Sequence, residues 1–165
     1  MSVIDELIAN AGRHTAGHEH WGLPSEPRLG LAIVTCMDAR FDVWRVLGLA
    51  DGDAHVLRNA GGVVTADTRR SLAISQRLLD TTEIMIIHHT DCGATKITED
   101  AFREAVYRDT GIRPDWAAEA FPKDVDGDVV QSIARIKADE LIPHRDRVRG
   151  FVWEVETGRL RPVKP

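Results

Sequence analysis

Apolar positions along the chain fall into short unbroken runs and into runs spaced by three and four. Val3, Ile4, Leu7, Ile8 and Ala11 recur at helical spacing behind Ser2 and Asp5, a weak capping box. His14 to Arg28 is rich in Gly, His and Pro and reads as an irregular arm. Leu29 to Cys36 is a continuous apolar run of strand length, which suits a strand buried on both faces. Phe41, Val43, Trp44 and Leu47 return to helical spacing and stop at Gly48, a C-cap candidate. Ala54 to Leu57 predicts a second strand, running into the loop Arg58-Asn59-Ala60-Gly61-Gly62. Asp67 or Thr68 caps a predicted helix through Leu72, Ile74, Leu78 and Leu79, and Glu83 to His88 is the third strand.

Beyond the third strand, a helix is predicted from Thr98, with Glu99 and Asp100 in its first turn and Phe102, Ala105 and Val106 on one face. It stops at Gly111, before Pro114, and residues 111–127 show no clear period, with room for one further helix. Val129, Ile133 and Ile136 mark a last helix closed by Pro143. Arg149 to Val155 and Leu160 to Val163 are strands joined by the turn Glu156-Thr157-Gly158-Arg159. Strands alternating with helices predict an α/β fold with a mostly parallel central sheet flanked by helices. An antiparallel strand is added at the C-terminal edge, and an N-terminal helical arm stands at the other end of the chain. The 165 residues correspond to one domain, 1–165, in which 1–28 form the helix and arm. That segment either packs on its own domain or clasps a partner subunit.

Charge narrows the partners. A formal net charge of −5 argues against a protein held to nucleic acid by a positive field. The longest apolar run, around Ile84 to Ile87, is far short of the ~20 residues that cross a bilayer. The first residues lack a basic stretch followed by an apolar one, so the expectation is a soluble, cytoplasmic protein with no nucleic-acid or membrane partner.

The two cysteines, Cys36 and Cys92, are open at this point to three readings: inert core, disulfide or metal ligands. Their places narrow the choice. Ligands of open parallel sheets sit beyond the carboxyl ends of the strands. Cys36 ends the first strand within Cys36-Met37-Asp38-Ala39-Arg40, and His89 and Cys92 lie just past the third within His88-His89-Thr90-Asp91-Cys92-Gly93. Soft thiolates with an imidazole select zinc, and three protein ligands with an open fourth position are the catalytic arrangement. A phosphatase loop would need Arg six residues after Cys36, where Asp42 stands, and there is no Cys-x-x-Cys, Gly-x-Gly-x-x-Gly or Walker sequence.

Cys-x-Asp-x-Arg at one strand end, followed some fifty residues on by His-x-x-Cys-Gly, resembles the β-class carbonic anhydrases, in their small bacterial and archaeal branch. The resemblance spans about residues 29–97, and continues more weakly into the final hairpin, 150–163. It implies that Cys36, His89 and Cys92 bind one Zn²⁺ per chain. Asp38 would accept a hydrogen bond from zinc-bound water or hydroxide, and Arg40 would hold Asp38. In some members the matching Asp swings onto zinc as a fourth ligand, so Asp38 is also a candidate metal ligand. Many members have Gly where this chain has His88, which stands open as a packed neighbour, a donor behind the ligands or part of a proton route.

Two thiolates and a neutral imidazole bring Zn²⁺ to a formal charge of zero, against +2 for three imidazoles. A bound water then loses its proton less readily than at a three-histidine site, and the rate is expected still to rise above neutral pH. Zinc-bound hydroxide suits a small linear electrophile, so the expected reaction is reversible hydration of carbon dioxide to bicarbonate and a proton. Relatives that resemble this chain act on carbonyl sulfide or carbon disulfide with the same zinc hydroxide, and a zinc-binding or redox-sensing protein without turnover is a third reading. Family members are dimers or multiples of dimers, so self-association as dimer or tetramer is expected, with the helix and arm as the clasp. Of the remaining candidates, Arg58 is expected to brace the loop and Asp91 to be a turn residue. His14, His18 and His20 read as a solvated arm, and His55 and His144 have no partner in view.

Overall fold

A computed structural model describes residues 2–17, 22–121 and 124–165. Helix α1 (Val3–Gly17) opens on the capping box read from the sequence: Asp5 N–H donates to Ser2 Oγ at 3.2 Å and Ser2 N–H to Asp5 Oδ2 at 2.8 Å. The helix runs further than its apolar spacing, taking in His14, which the pattern assigned to the arm. Helical backbone needs no apolar stripe once a turn is nucleated, and no proline interrupts residues 12–17.

Strands β1 (Leu31–Cys36), β2 (Ala54–Asn59), β3 (Glu83–His89), β4 (Val148–Trp153) and β5 (Leu160–Val163) form one sheet in the order β2-β1-β3-β4-β5. The first four are parallel and β5 is antiparallel to β4, as expected. Alternation along β1 serves two cores. Ala32 and Val34 pack with Ile84 and Ile86 beneath α3 (Ala66–Leu78) and α5 (Val125–Lys137), which contribute Leu72, Val129, Ile133 and Ile136. Ile33 and Ile87 turn to the other face and pack with Phe41, Val43 and Trp153 near the short α2 (Val43–Leu47). Helix α4 (Glu99–Thr110) has no fully buried residue and lies at the periphery.

Boundaries differ from the sequence reading for physical reasons. Gly30 takes φ 60°, so β1 begins two residues later than the apolar run, at Leu31. Thr65, not Asp67 or Thr68, caps α3, its hydroxyl accepting from Thr68 N–H at 3.3 Å, while the Thr68 hydroxyl donates to Val63 O. Strands β2 and β3 extend to Asn59 and His89 because each pairs through its last residue, with Cys36 and Trp153 respectively. Helix α5 is capped by Asp124 and ends at Lys137, six residues before Pro143. The described part of 112–121 contains no helix. No described helix is long and apolar enough to cross a membrane.

Candidate active site

Parallel pairing of β1 with β3 brings their carboxyl ends to one edge of the sheet, and each ends on a candidate ligand. Behind them Thr35 Oγ1 donates to Ile87 O at 2.8 Å, tying the two strands together. The chain leaves β1 under tight control. Met37 N–H donates to Asn59 O, and Arg58 donates to Cys36 O at 2.9 Å and to Asp38 O at 2.7 Å. Arg58 thus braces the loop, as expected. Gly62, at φ 74°, passes so close beneath that a Cβ there would lie 2.8 Å from Cys36 N.

After β3 the turn at Asp91 takes a left-handed φ of 55° and returns Cys92 toward Cys36. The ligand atoms of Cys36, His89 and Cys92, all buried, lie within 4.8 Å of one another. The two sulfurs are 3.9 Å apart, and tetrahedral zinc with Zn–S of about 2.3 Å requires about 3.8 Å. His89 Nδ1 donates to Thr90 O at 2.8 Å, which leaves the Nε2 lone pair facing the sulfurs. That Nε2 is buried and has no hydrogen-bond partner among the described residues. Two soft sulfurs and an orphaned imidazole nitrogen at this spacing fit a tetrahedral metal ion. The sulfur–sulfur hydrogen bond draws the Cys36 thiol below its ordinary value, against the opposing effect of burial. The same bond, together with burial, pushes the Cys92 thiol up.

Asp38 stands beside these donors, its Oδ2 3.7 Å from His89 Nε2. It is committed to Arg40, which donates through Nε to Oδ1 at 3.0 Å and through Nη2 to Oδ2 at 2.7 Å. This two-pronged bond holds the Asp38 carboxyl well below the usual carboxylate range. The fork has a second partner. Arg40 Nη1 donates to Asp91 Oδ2 at 2.8 Å, and Lys96 Nζ meets Asp91 Oδ1 at 2.6 Å. The sequence pattern read Asp91 as a turn residue only, because nothing local marks a partner 51 positions away. A cavity of about 320 Å³ opens over the cluster, walled by Ala60, Gly61, Ala94, Ile97 and Ala118. Cavities of greater volume lie elsewhere and carry no such donor set.

The histidines sort themselves by contact. His88 points to the opposite face of β3 from His89, bonds Asp128 Oδ2 at 2.6 Å and stacks on Phe121 at 5.4 Å. It is a packed neighbour that also forms a buried hydrogen bond, directed at α5 rather than at the donor cluster. His55, expected to lack a partner, bonds Ser75 Oγ at 2.8 Å and Ser25 O at 3.1 Å. His14 lies on α1, and His18 and His20 lie outside the described residues. His144 is held through its backbone N–H by Gln76 Oε1.

Residues 31–124 match the family model described as carbonic anhydrase. Over its full 165 residues the chain is 50% identical to beta-carbonic anhydrase 1 of Mycobacterium tuberculosis, also over that protein's full length. The chain belongs to the β-carbonic anhydrase family. Its fold agrees with that of another carbonic anhydrase, from Streptococcus mutans, with TM-score 0.93 and 44% identity over 99% of each chain. A carbon disulfide hydrolase of Acidithiobacillus thiooxidans is 36% identical over 172 positions, covering 88% of this chain and 85% of that one. Relatives named for different substrates thus share most of this chain's length.

Proposed function

We propose that this protein catalyses the reversible hydration of carbon dioxide to bicarbonate and a proton, with Cys36, His89 and Cys92 holding one Zn²⁺. The observation that carries the reading is the buried, unpartnered His89 Nε2, set among two sulfurs with the Asp38–Arg40 pair at its side. Zinc bound there would act as a Lewis acid that makes water a nucleophile near neutral pH. The chain's own groups do the rest. Thr90 O fixes the His89 tautomer, so Nε2 offers its lone pair. Asp38, kept ionised by Arg40, is the acceptor that holds the proton of the attacking water and aims its lone pair at carbon. The walls Ala60, Ala94, Ile97 and Ala118 offer a small apolar molecule space without competing side-chain hydrogen bonds.

The same groups would serve hydrolysis of carbonyl sulfide or carbon disulfide, a reading favoured only by the hydrolase relatives. The greater identity to a carbonic anhydrase supports carbon dioxide. Turnover of carbon dioxide, carbonyl sulfide and carbon disulfide by the purified zinc form, measured side by side, decides between them. Carbon dioxide is expected to be fastest, with a rate still rising between pH 7 and 9. Faster turnover of either sulfur compound overturns the assignment.

The proposal extends to the assembly. Residues 1–165 act as one carbonic anhydrase domain, in which 1–28 clasp a second copy to give a dimer or tetramer. Support comes from α1, which exposes Val3, Ile4, Leu7 and Ile8 on one stripe. Two unpaired thiols 3.9 Å apart suit a reducing compartment such as the cytoplasm.

A further inference from the structure

We infer that Asp91 is a positioning residue which, through Arg40, keeps Asp38 turned away from the three-donor cluster. The inference rests on the functional reading above and adds a residue to it. Arg40 has five N–H groups in a rigid fork. Nε and one Nη2 hydrogen serve Asp38, while Nη1 serves Asp91 Oδ2 and Nη2 also meets Asp91 O at 3.2 Å. Arg40 is 45% exposed, so packing does little to hold it, and Asp91 is the brace on the far side of the fork.

Asp91 is itself well placed for this. It lies in the turn that delivers His89 and Cys92, so the brace and two donors move as one unit. Lys96 anchors its other carboxylate oxygen. A residue needed for the turn alone would not require a carboxylate, since Asn and Gly take left-handed φ more readily. Charge then alternates outward from the donors as Asp38, Arg40, Asp91 and Lys96. Asp38 Oδ2 is only 3.7 Å from His89 Nε2, and a side-chain rotation away from Arg40 would bring it among the donors.

The test compares Asp91→Asn with wild type in the full chain, loaded with zinc for kinetics and with Co²⁺ for azide titration by visible absorption. Asp91→Asn is expected to keep one metal per chain and to lower kcat about tenfold with little change in KM, the scale at which groups supporting ligands act. Azide affinity of the Co²⁺ form is expected to fall by a similar factor, because Asp38 competes for the position azide takes. In an Asp38→Ala background the same substitution is expected to leave azide affinity unchanged. Undiminished azide affinity in Asp91→Asn, or an equal loss in the Asp38→Ala background, overturns the inference. If Asp91→Asn does not fold, Asp91→Gly, which suits the turn, is read the same way. A wild type without carbon dioxide turnover would defeat the functional reading, while the azide titration would still decide the role of Asp91.

Discussion

Under the proposed function, Asp38 has to remain an ionised acceptor within reach of the donor cluster without joining it. Arg40 meets both demands, keeping the carboxyl charged and fixing both of its oxygens. Asp38→Asn retains the shape and loses the charge, so it is expected to keep the metal and lose at least about tenfold in kcat. Metal analysis and stopped-flow hydration check this, and an unimpaired rate would show that Asp38 only packs. The Cys, Asp and Arg of this site were legible because they fall within five residues at a strand end. Asp91 and Asp128 were not, because their partners Arg40 and His88 are 51 and 40 positions away and are brought in by the fold. His88 was legible as a departure from the family pattern, while its direction follows from the parity of β3.

At the scale of elements, the single turn Ala60–Gly62 after β2 is what seats β1 beneath the site. Gly62 combines a left-handed φ with backbone atoms of Thr35 and Cys36 at 2.8 Å from any added Cβ. Neither neighbour is a flexible side chain that can move aside. Gly62→Ala is therefore expected to cost at least about 2 kcal/mol, a fall of roughly 4–8 °C in melting temperature for a chain of this size, with weaker metal retention. Calorimetry with metal analysis measures both, and an unchanged melting temperature would refute the close approach. Elements were readable where apolar spacing and a cap coincide, as at α2, which ends at Gly48. The α3 cap was misplaced because Thr65 and Thr68 are both good caps, and only packing decides that Thr68 bonds Val63 O instead. Residues 112–121 stayed unread because they form no element, although Ala118 lines the cavity.

At the scale of the whole molecule, acid sensitivity is not confined to the site, because carboxylates outside it are also held below their ordinary range. Asp139 is nearly buried, bonded to Arg69 Nε at 2.5 Å and to Leu141 N–H, and its pKa is lowered, chiefly by the Arg69 bond. A lowered folded pKa stabilises above the free carboxyl value of about 3.9, and that contribution is lost as pH falls through the folded value. Asp139→Asn is therefore expected to be less stable at pH 7 and to lose less between pH 5 and 2, as urea unfolding across that range would show. Equal pH dependence in both proteins would remove Asp139 from the account. The exposed stripe on α1 makes a separate prediction: light scattering should find at least a dimer, and Ile4→Glu with Leu7→Glu should shift it to monomer. A fully active wild-type monomer would refute the clasp. The order of assembly follows from the register of β1 and β3. Both cores close without the three ligands, and strand pairing alone carries Cys36 and His89 to the same edge. The chain is therefore expected to fold first and be loaded afterwards, unlike small zinc domains that unfold when stripped. A chelator should abolish activity with far-ultraviolet circular dichroism unchanged, and added zinc should restore it, whereas unfolding on chelation would contradict this order. On that order, how much of the protein works at any moment would follow the supply of metal to finished molecules rather than the rate at which the chain is made.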